Sequence, residues 1–338
     1  MIEVDGSLGE GGGQILRTSV SLSAVTRKPV KIVNIRAKRK NPGLAPSHLT
    51  SIDSVARISD ADVDGLYPGS QEITFSPREL LGGEFEFDVG TAGSISLVLQ
   101  TCLIPAALSK SRVVINVKGG TDVNWSPPID FMRMVHLPIL ERFGPSCDLE
   151  MTARGFYPEG GGEVRLEVSP VSKLQAVKIE ERGQVRSVEG VAYAQNLPED
   201  VALRIKHAAI KKLADFKAVT IELDFRRGHS TGAGIVLVAR CDNTLLGASV
   251  LGAKGVRSET LGENCALDLA ETVHSGATVD EHMLDQVLPY MALAEGNSVV
   301  LADEMTAHAG TNISVIEKFL GKRFSVEEAG ELVRIETL

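Results

Sequence analysis

The sequence predicts an α+β fold in which a small unit is used several times and a separate αβ unit is inserted late in the chain. Three observations carry this expectation. Through the first half, short alternating strands, glycine turns and amphipathic helices follow one another in a recurring plan. Two short segments recur: Gly9-Glu10-Gly11-Gly12-Gly13-Gln14 as Pro158-Glu159-Gly160-Gly161-Gly162-Glu163, and Thr91-Ala92-Gly93-Ser94 as His308-Ala309-Gly310-Thr311, the latter opening an apolar helix each time. From about Gln184 the texture changes, and the earlier plan returns near Ser275. At 338 residues the chain exceeds the length, roughly 250 to 300, at which single cores stop growing, so more than one domain is expected.

Taken in order, apolar periodicity predicts helices over 14–25, 47–58, 94–108 and 128–143, with strands such as 113–117 between them. Pro105 should kink or end the third helix, since it lacks an N–H and crowds the preceding turn. The middle unit begins with a strand over 185–197. It continues with a helix opened by Pro198-Glu199-Asp200, a strand over 218–225, a hairpin around Asp242-Asn243 and a helix over 258–272. A helix over 280–294, a strand over 298–302 and a helix over 311–320 close the pattern. The domain division is therefore 1–183 with 274–338, and 184–273 as an insertion.

Composition narrows the function. No segment approaches the ~18 uninterrupted apolar residues of a membrane span. The start, Met1-Ile2-Glu3-Val4-Asp5, lacks the basic-then-apolar order of a secretory signal, so the mature chain is expected to begin there and to be cytoplasmic. Cys102, Cys147, Cys241 and Cys265 lie far apart, which argues against a zinc knuckle or a disulfide scaffold and for inert thiols. A net charge of −9 disfavours nonspecific coating of nucleic acid.

Local chemistry points to phosphate. Gly9-Glu10-Gly11-Gly12-Gly13 stands immediately before a helix, where glycines admit an anion to backbone N–H groups and the helix dipole favours it. Arg17, a cation in the expected first turn, is disfavoured there unless an anion is near. The bland alternative is a glycine connection with a solvated arginine. Arg36-Ala37-Lys38-Arg39-Lys40 reads either as a solvated strand end or as a phosphate clamp. His308 falls in an expected loop three residues before Thr311, a helix cap, and is either a nucleophile toward phosphorus or a capping histidine. His282 shares a helix face with Asp285 and Gln286, an unusual polar cluster on an apolar helix. Phe131 reads as an adenine contact or as core. Trp125, the only tryptophan, reads as a base-stacking residue or as a packed loop anchor.

Together these segments closely resemble the RNA 3′-terminal phosphate cyclases. The likeness runs over essentially the whole chain. It rests on Asp5-Gly6 with Gly9 to Arg17; Ile35-Arg36 with Arg39 and Pro42-Gly43-Leu44; Leu97-Val98-Leu99-Gln100-Thr101; Gly119-Gly120-Thr121-Asp122; Gly155-Phe156-Tyr157-Pro158 with Gly160-Gly161-Gly162; and the stretch through His308, Thr311 and Asn312. The resemblance implies a large domain of three units like the C-terminal domain of translation initiation factor three, with an inserted thioredoxin-like small domain. It implies that His308 attacks the α-phosphorus of ATP, that AMP passes to an RNA 3′-phosphate, and that the 2′-hydroxyl then closes a 2′,3′-cyclic phosphate.

Arg17, Arg36 and Arg39 would hold phosphates, and Glu10 would hold a divalent cation, Mg2+ or Mn2+, or orient Arg17. Gln100, His282, Asp285 and Gln286 match nucleotide-binding positions, with Phe131 and Pro127 beside the adenine. The partner implied is RNA with a 3′-terminal phosphate, with no membrane, and a homodimer is left open. The chain departs from many relatives at Ser47, where they carry glutamine, and at His282, where tyrosine is common. Noncatalytic cyclase-like ribosome-assembly proteins share the fold but lack the histidine, and the joint presence of His308, Arg17 and Gln100 argues against that alternative. An enolpyruvyl transferase would need no histidine–AMP intermediate. An RNA-binding module without chemistry is disfavoured by the acidic net charge.

Overall fold

The computed structural model describes every residue except Glu10, Thr91 and Lys322. Strand β1 (Ile2–Asp5) passes through the glycine turn into α1 (Gly13–Thr26) and returns as β2 (Val30–Val33). Helix α2 (Pro46–Ile58) then leads to the hairpin of β3 (Asp62–Asp64) and β4 (Ile73–Ser76). A parallel pair cannot be joined by a tight turn, so the helix between β1 and β2 follows from their sense. The sheet has the order β1-β2-β4-β3, with the other two pairings antiparallel.

The second sheet uses β5 (Gly83–Asp88), α3 (Ile95–Ala107), β6 (Val113–Gly119), α4 (Ile129–Phe131), a π-helical turn (Met132–His136), α5 (Leu137–Glu141), β7 (Ser146–Ala153) and β8 (Gly162–Ser169). Its order is β5-β6-β8-β7, again with one parallel and two antiparallel pairings. Along β8, Val164, Leu166 and Val168 face the core while Glu163 and Ser169 face solvent, the alternation of a half-buried strand.

After the short β9 (Lys178–Ile179) come β10 (Val185–Gln195), α6 (Glu199–Lys212), β11 (Val219–Arg226), β12 (Gly232–Cys241), β13 (Leu245–Leu251) and α7 (Ser258–Ser275). They form a sheet of order β11-β10-β12-β13. Acidic residues open α6 and lysines close it, complementing its dipole. Then α8 (Glu281–Leu293), β14 (Val299–Ala302), α9 (Ala307–Leu320), β15 (Phe324–Ala329) and β16 (Leu332–Thr337) complete a fourth sheet of order β9-β14-β16-β15. The pair β9 and β14 is parallel and the other two are antiparallel.

One apolar core runs beneath α1, α2, α3, α8 and α9. A second lies between the middle sheet and α6 and α7, where Val188, Ala192, Ile235, Leu237 and Ala239 point. The alternate residues Val191, Tyr193, Val236 and Val238 point the other way and join the first core. The period of two thus divides one sheet between two cores. No helix among the described residues is long and apolar enough to cross a membrane.

Several expectations are corrected. The helix expected over 128–143 is α4, a π turn and α5 in succession, and Pro138, which has no N–H to give the preceding turn, accounts for the widened register. Pro105 does not end α3, which runs on to Ala107. The last helix begins at Ala307 rather than Thr311, because Thr306 Oγ1 accepts the Ala309 N–H at 3.0 Å and caps it. His308 is therefore in the first helical turn rather than in a loop, and Arg17 opens the second turn of α1. The recurrent segments are not structural equivalents. Gly9 to Gly13 opens a helix, whereas Gly162 opens strand β8. Ser94 caps α3, whereas His308 to Thr311 lie inside α9, and Thr91 is outside the described residues. The four cysteines are free thiols, and burial pushes the Cys102 thiol up to about 12.

Candidate active site

The glycine turn before α1 adopts left-handed backbone at Gly9 (φ 54°) and Gly11 (φ 59°), conformations open to glycine at little cost. Gly12 is the N-cap and offers no side-chain acceptor, so first-turn N–H groups are left for another partner. The missing side chains are filled by others. A Cβ on Gly13 would collide with His48 Nε2 and lie 3.1 Å from Arg17 Nη1. One on Gly12 would lie 3.5 Å from Arg39 Nη2, and one on Gly9 would strike Thr311 Oγ1. Three basic side chains and the first turns of α9 thus meet at the start of α1.

His48, in the first turn of α2, accepts the Ala45 N–H on Nδ1 at 3.1 Å, which leaves its proton on Nε2, the atom facing Gly13. Burial, with the charges of Arg17 and Arg36, pushes its pKa down to about 3, so it is neutral near pH 7. Arg36 sits at φ 53° and donates from Nη1 to the Gly43 carbonyl at 2.8 Å, which fixes the basic run. Burial and neighbouring Arg39 lower its pKa. Arg17 is half-buried, and burial pulls its pKa down to about 10 against the opposing charge of Asp285.

Helix α8 supplies the other wall. Gln14 Nε2 donates to Asp285 Oδ2, Gln286 Nε2 donates to the same oxygen at 3.1 Å, and Asn312 Nδ2 donates to the Asp285 carbonyl at 2.6 Å. Thr18 donates to Asn312 Oδ1 at 2.7 Å, tying α1 to α9. Burial raises the Asp285 pKa to about 6, although the nearby charges of His308 and Arg17 hold it down. Gln100 of α3 lines the same small cavity as Arg17, Asp285 and Gln286. His308 itself is exposed at the start of α9.

The adenine expectation divides. Phe131 is 2% exposed, packs over Gly247 of β13, and meets His282 edge-on at 6.1 Å between ring centres. It backs the exposed His282 ring and offers a base no open face. His282 lies at the start of α8, where Asp280 caps the helix and also accepts the Gly247 N–H at 3.0 Å. Pro127 is half-buried, its carbonyl held by Ser96 Oγ at 2.7 Å. Trp125 is 99% exposed and is not a packed anchor.

Glu10 lies outside the described residues. Among the described residues no group of three or more His, Cys, Asp or Glu side chains could hold a metal ion. Sequence reasoning brings together Arg17, Arg39, Gln100, Asp285, Gln286 and His308 and passes over His48, Gln14 and Thr18. A histidine three residues after Ala45, behind Pro46, is the available signal for His48. The hydrogen bond of Gln14 to Asp285 spans 271 residues and leaves no signal.

The family model described as RNA 3′-terminal phosphate cyclase matches residues 8–326 of this chain. The protein named RNA 3′-terminal phosphate cyclase from Ignicoccus hospitalis is 48% identical, over 98% of this chain and 96% of the relative. Proteins of the same name from Pyrobaculum neutrophilum and Nitrosospira multiformis are 45% and 43% identical, each over 99% of this chain and 97% and 96% of theirs.

Proposed function

This chain belongs to the RNA 3′-terminal phosphate cyclase family, and from that premise we propose that it is an ATP-dependent cyclase that converts an RNA 3′-terminal phosphate to a 2′,3′-cyclic phosphate. The observation that carries this reading is the packing of the His308 turn of α9, through Thr311 and Asn312, onto the glycine turn and Thr18 of α1. A nucleophile and an anion seat share one wall.

His308 attacks the α-phosphorus of ATP, forming a nitrogen–phosphorus bond as pyrophosphate leaves with the bonding electrons. An oxygen of the RNA 3′-phosphate then displaces the imidazole and takes AMP. The neighbouring 2′-hydroxyl attacks the 3′-phosphorus, its proton is lost to solvent, and AMP departs with the cyclic ester formed. Arg17, Arg36 and Arg39 hold phosphate oxygens in fixed guanidinium forks, and neutral His48 donates from Nε2 beside the uncapped amides of α1. Gln100, Asp285 and Gln286 orient the nucleotide, with His282, supported by Phe131, and Pro127 at the base. A divalent cation is a hard acid that takes oxygen ligands, phosphate oxygens and carboxylates among them. Mg2+ or Mn2+ would neutralise phosphate charge there, with Glu10 as its carboxylate.

The fold is read in the same terms. The shared order and sense of three sheets support three copies of one unit, like the C-terminal domain of translation initiation factor three. The sheet β11-β10-β12-β13 with α6 and α7 supports a thioredoxin-like insertion over 184–273, within a large domain of 1–183 and 274–338.

The test is incubation with α-labelled ATP and a divalent cation, followed by mild acid and a chase with 3′-phosphate RNA. Acid-labile label is expected on the wild type and absent from His308→Ala, and it should leave as cyclic ends form. A folded wild type that takes no label would transfer the assignment to a noncatalytic assembly role.

A further inference from the structure

The loop between β6 and α4 is tied down at both ends. Thr121 O accepts the Ile129 N–H at 3.1 Å, Ser126 Oγ donates to Val123 O at 3.0 Å, and Ser96, in the first turn of the helix that carries Gln100, holds Pro127. From this fixed frame Trp125 projects with 99% of its surface exposed and a left-handed backbone (φ 66°), a conformation that a bulky side chain adopts at a cost. A loop this well tied could bury its ring, and instead presents it.

The neighbouring loops share the character. Asp122 bridges to Phe156, and Thr121 N–H donates to Gly155 O at 2.8 Å, so the loop lies along the segment that exposes Tyr157 at 73%. That segment packs on the β11–β12 turn, where Ser230 Oγ donates to Gly160 O at 2.7 Å and Gly161 abuts His229. Arg227 and His229 are exposed on this turn. Glu159 and Glu163 are exposed acidic residues on the same segment. Isolated flat rings beside an exposed arginine are the makings of a single-stranded nucleic-acid contact, whereas a protein interface calls for a continuous apolar patch.

We propose that Trp125 is a stacking platform for a base of the RNA substrate near its reacting end, with Tyr157, Arg227 and His229 continuing the track. This rests on the cyclase reading and assigns the RNA side of that site. The loop that presents Trp125 is tied at Pro127 to Ser96, one helical turn before Gln100, which lines the small cavity shared with Arg17 and Asp285.

Because Trp125 is the only tryptophan, intrinsic emission reports on this ring alone. Titration with a 3′-phosphate oligoribonucleotide should quench it, and ATP alone should not. Trp125→Ala should raise the KM for RNA roughly tenfold or more, with labelling of His308 by ATP proceeding as in the wild type, and Trp125→Phe should restore most of the affinity. Emission unmoved at RNA concentrations that saturate cyclisation overturns the proposal. So does quenching by ATP alone, or a response to protein dilution without one to RNA, which marks a contact between copies. If RNA quenches a chain that takes no label from ATP, the platform stands and the reaction assignment falls.

Discussion

Asp285 is an ionisable group whose folded environment resists its charge. Burial lifts its pKa from 3.8 to about 6, so the folded chain binds this proton more tightly than the unfolded one. By linkage, the associated stability is complete below about pH 3.8 and is lost as pH rises through about 6. At pH 8 the ionised carboxylate therefore costs up to about 3 kcal/mol, since each tenfold gain in proton affinity is worth about 1.4 kcal/mol. An asparagine keeps the acceptor for Gln14 and removes the charge. Asp285→Asn is expected to be more stable than the wild type at pH 8 by about 1–2 kcal/mol, the gap closing as pH falls from 6 toward 4. It should also bind ATP more weakly. Denaturant midpoints at several pH values check this, and a gap that does not vary with pH would reject it. The residues of this site are unequally legible. Arg17 and His308 advertise themselves beside glycines, and the acceptor role of His48 Nδ1 is a local contact with Ala45, but what its Nε2 faces is Gly13 of another helix, which no local spacing gives.

The helix that carries His308 depends on one cap. Thr306 Oγ1 takes the Ala309 N–H, and His308 stands between the two, so the position of the imidazole is set by the first turn of α9. Thr306→Ala is expected to cost about 1 kcal/mol of stability and to slow labelling of His308 severalfold, with Thr306→Ser close to wild type. Equal labelling rates in all three proteins would show that the cap does not position His308 for the proposed reaction. The sequence alone favours Thr311 as the cap because the apolar period of Ile313, Ile316 and Leu320 begins just after it. Thr311 instead returns its hydroxyl to the Ala307 carbonyl at 2.8 Å inside the helix. Elements with strong local signals are legible to within a few residues: α2 begins at Pro46, whose fixed φ and missing N–H suit a first position, and α8 at the Asp280 cap. The π turn after Phe131 is not legible as such, since a helical period with a proline at position 138 also fits a plain kink.

At the scale of the whole molecule, the middle sheet and the rest of the chain are joined by a buried guanidinium. Arg154, at the end of β7, donates to Asp122 at 3.0 and 3.1 Å, to Asp130 at 2.7 Å and to Asp224 of β11 at 2.9 Å. Its guanidinium lies 3.8 Å from the centre of the Tyr193 ring of β10. Arg133 and Arg226 each bind one of these carboxylates in turn, so three cations face three anions. The change of texture at Gln184 is readable along the chain, but this joint is not, because its partners lie 24, 32 and 70 residues from Arg154 and each alone reads as a solvated charge. A buried pair is weak evidence of net stabilisation, yet removing one partner strands the others. Arg154→Met would leave Asp122 and Asp130, both almost fully buried, without their shared counterion. The expected loss is about 3–5 kcal/mol, read as a lowered denaturant midpoint. Lysine should recover only part of it, since one ammonium cannot span carboxylates that two Nη groups divide between them. Because Asp130 adjoins Phe131, which backs His282, the Arg154→Lys protein should also show a raised KM for ATP. A stability for Arg154→Met within about 1 kcal/mol of wild type would mean that the apolar packing of Val191, Tyr193, Val236 and Val238 and the other contacts across the joint hold it without this cluster.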